Sequence, residues 1–269
     1  MKLIVIKLRV LIFLYCIQFL NPLPAQSQTQ VRWIKLNQTH RAAIIDPLHN
    51  EIQTKRKQVG AVIYLHDEWG LDSLALLWCK EIANAGFTVI APDLLGRVPE
   101  DAMEAHEIER AQPEGAFISL LNIARDTLLA QAEGKPIKIG VYGIGMGATA
   151  AVEALLADTI LPTKFTAAAI TIAALPFTPT SDLFQKILPP YLLPLIGNFG
   201  EKDLGTPPDA VKNFKQRLIA CGRGKFLDFD FRIHAGARRG FMRPKNGIEA
   251  KAAISSRSRV IKFLKKELK

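Results

Sequence analysis

Four stretches of this sequence are apolar almost without interruption and are no longer than a strand: "VGAVIYLHD" (59–67), "FTVIAPDLL" (87–95), "IKIGVYGI" (137–144) and "FTAAAITIAAL" (165–175). A half-exposed strand alternates apolar and polar residues, so a run without alternation must be covered on both faces. Between the runs the period changes. In "LDSLALLWCKEIANAG" the residues Leu74, Leu77, Trp78 and Ile82 recur at helical spacing, and Gly86 closes the segment as a helix cap. Further helices are expected at "AFISLLNIARDTLLAQ", "ATAAVEALLAD", "PPDAVKNFKQRLI" and the C-terminus, where Ile254, Ile261, Leu264 and Leu268 form an apolar stripe. "VRWIKLN" and "RAAIID" are expected as early strands, "LLPLIGNFGE" and "FLDFDFRIH" as late ones. Such alternation predicts an α/β fold with a mostly parallel central sheet and helices on both faces. No repeat or linker divides the chain, so one domain is expected over residues 28–269.

The first 27 residues are of another kind. Lys2, Lys7 and Arg9 precede an apolar run from Val10 to Leu20, and "NPLPAQSQ" follows with a turn and small residues, the pattern of a cleaved export signal. The run is short of the about 20 residues that span a bilayer, so no stable membrane span is expected after cleavage. A periplasmic or secreted location follows. Cleavage lowers the formal net charge from +10 to +7, since the segment carries three basic residues and no acids. The balance stays basic, yet the aromatic interleaving of a nucleic-acid surface is missing, and no nucleic-acid partner is expected. With 49% hydrophobic and 22% charged residues among 269, disorder is excluded as the general state. Cys79 and Cys221 remain after cleavage and are free to pair in an oxidising compartment. The five histidines, His40, His49, His66, His106 and His234, show no ligand spacing, so neither a metal nor another cofactor is expected.

The run at 137–144 leads into "GIGMGATAA", a glycine-flanked turn followed by small residues. A sharp strand-to-helix turn needs glycines where the helix packs against the sheet, and Gly143 and Gly147 mark that frame whatever stands between them. The central residue is Gly145, where a nucleophile would stand. It has no atom that attacks an acyl carbon, and its neighbours Ile144 and Met146 are equally inert.

Five landmarks, in order, resemble the dienelactone hydrolase family of the α/β-hydrolase fold: "IYLHDEWGLD" (63–72), "GFTVIAPDLLGR" (86–97), "IGVYGIGMGA" (139–148), "GNFGEKDLGTPPDAV" (197–211) and "HAGARRGF" (234–241). The resemblance covers nearly the whole mature chain. It implies a nucleophile at position 145, an acid at Asp203 and a histidine base at the position of Arg239. Only the acid is of the required type. Arginine stays protonated and cannot take a proton from a nucleophile, so the ordinary triad is broken at two of three positions. An Arg239–Asp203 ion pair is the expected replacement.

Other groups of the implied pocket are His66, Asp67 and Glu68, of which Asp67 matches the family's assisting acid, and Arg97, which matches an arginine that holds substrate carboxylates. Arg238, Arg239 and Arg243 are further candidate anion contacts. His234 and Cys79 are expected to be structural. The leading expectation is a non-catalytic pseudoenzyme that binds an anionic small molecule or a protein partner. Two alternatives stand beside it: an ester or lactone hydrolase using water activated by His66, Asp67 or Glu68, and a surface-binding protein using its basic C-terminal helix.

Overall fold

A computed structural model describes residues 29–48, 60–113, 115–157, 165–175, 193–219 and 229–268. The expected leader, His49 and Cys221 lie outside them. Eight strands form one sheet: β1 (Val31–Lys35), β2 (Arg41–Ile45), β3 (Ala61–Leu65), β4 (Thr88–Pro92), β5 (Ile139–Ile144), β6 (Ala167–Thr171), β7 (Leu195–Lys202) and β8 (Phe229–Arg238), in the spatial order β1-β2-β4-β3-β5-β6-β7-β8. The pairs β1–β2 and β2–β4 are antiparallel, and β4–β3–β5–β6–β7–β8 run parallel. The helices among the described residues are α1 (Ser73–Asn84), α2 (Ala102–Ala111), α3 (Ala116–Gln131), α4 (Met146–Ala157), α5 (Pro208–Leu218) and α6 (Gly247–Glu267).

The uninterrupted apolar runs are the central parallel strands, and their residues feed two cores in turn. Along β3, Ala61, Ile63 and Leu65 enter one core and Val62 and Tyr64 the other. The first core is closed by α3, α4 and α5 through residues such as Leu121, Val152 and Phe214. The second is closed by α1 and α6 through Trp78, Ile82, Val260 and Leu264. Burial of this kind contributes about 25 cal/mol per Å² of apolar surface, which is why β-branched and aliphatic residues dominate both layers.

Two helical faces differ from their sequence expectation. Leu77 of α1 is exposed, and Ala75, Cys79 and Ala83 are buried in the layer with Trp78 and Ile82. In α6, Ile254 faces water, whereas Ala252, Ala253, Ser256, Val260 and Phe263 are buried. Small residues such as Ala75, Ala83, Ala252 and Ser256 share these inner faces with Trp78, Ile82, Phe263 and Leu264, the large and small side chains packing together against the sheet. Cys79 is buried with a free thiol, and burial pushes its pKa up, as suits a packed residue rather than a nucleophile. Helix α2 has no counterpart among the expected elements. Asp101 caps it by accepting from the backbone N–H groups of Met103 and Glu104, and it carries few buried residues.

Candidate active site

The parallel strands end together, and the loops that leave β3, β5, β7 and β8 meet at that edge, where open α/β sheets form their sites. Gly145 stands alone between the end of β5 and the first residue of α4, at φ +55°. Its N–H donates to the Thr171 carbonyl at 2.9 Å, and the Gly147 N–H donates to the His66 carbonyl at 3.1 Å. A Cβ on Gly143 would come within 2.4 Å of the Gly147 carbonyl oxygen, and one on Gly147 within 2.4 Å of that of Leu65. Backbone on both sides leaves no place for a side chain at the flanks. A Cβ on Gly145 meets something different: Glu68 Oε2 at 2.6 Å and Asp67 Cβ at 3.1 Å. The Glu68 carboxylate thus fills the space that a nucleophile's side chain would enter.

The acid loop is tied to the same edge. Asp203 follows β7 and is buried; its Oδ1 accepts from the N–H groups of Gly205 at 2.8 Å and Thr206 at 3.2 Å, while its Oδ2 is buried without a partner among the described residues. Thr206 Oγ1 donates to the Ala173 carbonyl at 2.9 Å, and Thr149 Oγ1, from α4, accepts from the Ala174 N–H at 2.9 Å. The segment after β6 therefore straps the acid loop to the elbow helix. Arg239, just past β8, approaches Asp203 from outside. Its Nη1 lies 3.8 Å from Oδ1, with Asp203 fully covered and Arg239 45% exposed. This is an ion pair by distance and too long for a hydrogen bond. The guanidinium passes over Gly205, where an added Cβ would sit 2.5 Å from Nη1.

The three neighbouring candidates after β3 have separate fates. His66 is fully buried; its Nε2 accepts from the Leu94 N–H at 2.9 Å, so Nδ1 carries the proton and donates to the Asp67 carbonyl at 2.7 Å. Burial holds its pKa below the usual value. Both ring nitrogens are thus committed to backbone, joining the ends of β3 and β4, and no lone pair is left to accept a proton from water. Asp67 is bound bidentately by Arg243, at 2.8 and 2.9 Å, and Arg243 Nη1 also reaches Asp72 at 2.8 Å. Burial alone would raise the Asp72 carboxyl, but Arg243 and the Ala75 N–H hold it below its usual range. Glu68 is the one of the three whose carboxylate accepts no hydrogen bond among the described residues.

The four arginines expected as anion contacts do not converge. Arg97 pairs with Glu104 at 2.8 Å, Arg238 with Glu249 at 2.9 Å, Arg243 with Asp67 and Asp72, and Arg239 faces Asp203. His234 lies in the wall behind, its Nε2 3.2 Å from Asn198 Oδ1 and its ring against Phe241. Burial, with help from Arg232 and Arg259, lowers its pKa to about 4.

Sequence reasoning missed Glu109, Glu153 and Gly205. Glu109, on α2, has its carboxyl pushed up by burial and by Glu68 and Glu153, against the effects of His106 and Arg239. Glu153, on α4, is raised by burial. The signal for α2 was present in Asp101 and the "AMEAHEIERA" that follows.

The profile of the dienelactone hydrolase family matches residues 49–268. The chain belongs to the dienelactone hydrolase family. Solved structures agree on the fold. A Klebsiella pneumoniae protein assigned as a dienelactone hydrolase superposes with a TM-score of 0.68 at 15% identity, covering 87% of this chain and 98% of its own. A dienelactone hydrolase-like promiscuous phosphotriesterase from metagenomic libraries gives 0.68 at 16% identity, covering 90% and 99%. Esterase 2 of Thermogutta terrifontis, phosphonylated by sarin, gives 0.61 at 18% identity, covering 91% and 97%. No curated protein sequence matches the chain significantly. This member of the family has a mostly parallel eight-stranded sheet, glycine at the turn between β5 and α4, and Arg239 facing the buried Asp203.

Proposed function

We propose that this member of the dienelactone hydrolase family is non-catalytic, and that the loops around the elbow bind a small molecule, an anionic one by the reading of the sequence, or a partner protein without turning it over. What carries this reading is Gly145 itself: the elbow keeps its positive φ and its flanking glycines, yet its tip offers no atom to attack. Arg239 supports it, since a permanently protonated guanidinium beside Asp203 cannot act as base. The anionic ligand anticipated from the arginines depends in this geometry on Arg239, because Arg97, Arg238 and Arg243 are each held by carboxylates. Export, carried by the leader pattern of residues 1–27, would place the binding outside the cytoplasm.

A second reading retains hydrolysis through water activated at Glu68. One observation favours it: the Glu68 carboxylate stands over Gly145, beside the start of α4. The basic-surface reading has a feature of its own, a groove of about 1120 Å³ along α6 that includes Arg257, Arg259, Lys262, Lys265 and Lys266. It opens at the opposite edge of the sheet, beside Ile196 and Asp230, away from the elbow.

Ester turnover decides between the first two. The mature protein should hydrolyse p-nitrophenyl acetate no faster than its heat-inactivated control. Turnover that disappears in Glu68→Ala would establish the second reading and sink the first.

A further inference from the structure

Far from the elbow, one face of α6 borders open space. Ile254, Ser258, Ile261 and Lys265 follow one another at steps of four, three and four residues, which sets them on one side of the helix. With Ile196 of β7 and Phe263 they line the groove of about 1120 Å³ at the opposite edge of the sheet. Ile196 and Phe263 are buried, whereas Ile254 is 58% exposed. The cations of the groove fall into two sets. Arg257 is closed by Glu81 at 2.8 Å and lies over the Trp78 ring at 3.9 Å, and Arg259 is closed by Asp230 and Asn198. Lys262 and Lys265 are exposed and have no carboxylate partner among the described residues, and Lys266 pairs with its neighbour Glu267 at 3.2 Å. Lysines in a last helical turn also answer the helix dipole, but that role needs no apolar stripe beside them.

We propose that this groove docks an acidic amphipathic helix of a partner protein, laid antiparallel to α6, with its apolar stripe on Ile254 and Ile261 and the acids of its first turn on Lys262 and Lys265. The assignment rests on the basic-surface reading given above, names its partner, and is independent of what the elbow does. Size is the first reason. A helix is about 10–12 Å across and rises about 1.5 Å per residue, so a groove of about 1120 Å³ takes up about two turns, beside an α6 face about three turns long. A drug-sized molecule settles where most of its surface is enclosed, and a wall as exposed as Ile254 does not enclose one. Period is the second reason: apolar residues seven apart are what the i, i+3, i+4, i+7 stripe of another helix meets. Charge is the third. The unmatched lysines gather at the C-terminal end of α6, and acids are favoured in the first turn of a helix, so the antiparallel direction suits both partners. The formal net charge of +7 left without residues 1–27 adds attraction at long range.

Salt separates the two parts of this contact. Lys262 and Lys265 are exposed, so their attraction for carboxylates is screened as ionic strength rises, whereas the apolar stripe is not. Affinity should therefore fall with salt and level off, while adsorption by charge alone falls to nothing.

The test is fluorescence anisotropy of a labelled synthetic peptide titrated with the mature protein in low salt. The probe is an amphipathic helix with leucine along one stripe and glutamate in its first turn and on its flanks. One control has the same residues in scrambled order, and the other has lysine in place of each glutamate. The proteins are the wild type, Ile254→Ser, and the double variant Lys262→Glu with Lys265→Glu; all three positions are exposed, and a thermal melt verifies that each protein is folded. The probe should bind the wild type, each control should bind at least about tenfold more weakly, and each variant should weaken the probe by about tenfold or more. The double variant should prefer the lysine peptide. Equal binding of the probe and its scrambled form would overturn the helical partner and leave the basic-surface reading standing, whereas failure of every acidic peptide to bind would remove both. Binding that no variant alters would also overturn the assignment. So would uptake on anionic phosphatidylglycerol vesicles, lost in the double variant, without peptide binding, which gives the groove to a membrane surface. A dimer in sedimentation that Ile254→Ser abolishes would give it to a second copy of this chain instead.

Discussion

At the scale of single residues, Gly145 stands in a turn whose backbone suits glycine. A φ of +55° is uncomfortable for a residue with a Cβ and free for glycine. The Glu68 carboxylate occupies the space that a side chain at 145 would enter. Restoring a hydroxyl at 145 therefore meets two obstacles: the missing base at 239 and the carboxylate whose Oε2 is 2.6 Å from the new Cβ. Gly145→Ser should leave p-nitrophenyl acetate turnover at the wild-type background. Gly145→Ser with Arg239→His should gain little, and the triple variant that also carries Glu68→Ala should be the fastest, because residues acting as a unit are strongly non-additive. Initial rates of the three proteins decide this; equal rates for the double and triple variants would show that Glu68 is not in the way.

At the scale of elements, the site is held by a few cross-links between loops. Arg243 is the clearest: it joins the turn after β8 to Asp67 after β3 and to Asp72 at the start of α1, with all three side chains at most 24% exposed. Asp72 is at the same time the cap of α1, accepting from the Ala75 N–H at 2.9 Å. Arg243→Ala leaves two carboxylates without their partner and should cost about 2–3 kcal/mol, somewhat under the range for a fully buried pair. Arg243→Lys should recover less than half, because an ammonium cannot make the planar fork to Asp67 while also reaching Asp72. Urea unfolding with an unchanged slope measures both. By contrast Arg97, 63% exposed in its pair with Glu104, should cost less than about 1 kcal/mol when replaced by Ala.

At the scale of the whole molecule, two buried histidines make the fold sensitive to acid. His66 and His234 are both held below their ordinary pKa of 6.5, His234 at about 4. The unfolded chain therefore binds more protons than the native one once the pH drops below about 6.5, and stability present above that value is lost as the pH falls toward about 4. For His234 the full loss is at most about 3.5 kcal/mol, taking about 1.4 kcal/mol for each pKa unit between 6.5 and about 4. His234→Gln should lose less stability than the wild type between pH 7 and pH 4, as read from urea midpoints; equal losses would place the acid sensitivity elsewhere.

The layers of this molecule were legible in its sequence because a strand covered on both faces must be apolar throughout, and β3, β4, β5 and β6 fall within the four uninterrupted runs. The elbow was legible for the same kind of reason, since Gly143 and Gly147 are dictated by backbone contacts. Helix α2 was not, because a helix with little buried surface has no strong apolar period to announce it, and Glu109 was missed with it. The place of Glu68 depends on where a loop turns in space, which spacing along the chain does not encode. The inner faces of α1 and α6 were read in part: Trp78, Ile82, Leu264 and Leu268 are buried as expected, whereas Leu77 and Ile254 face water and alanines complete the faces without adding to the apolar period.

Gly205 sets how closely two loops can approach. A Cβ there would lie 2.5 Å from Arg239 Nη1, so the guanidinium reaches toward Asp203 across a position that has no side chain. The loop after β7 therefore works as a saddle for the turn after β8, and its shape at one residue decides how near the arginine can settle to the carboxylate beneath it.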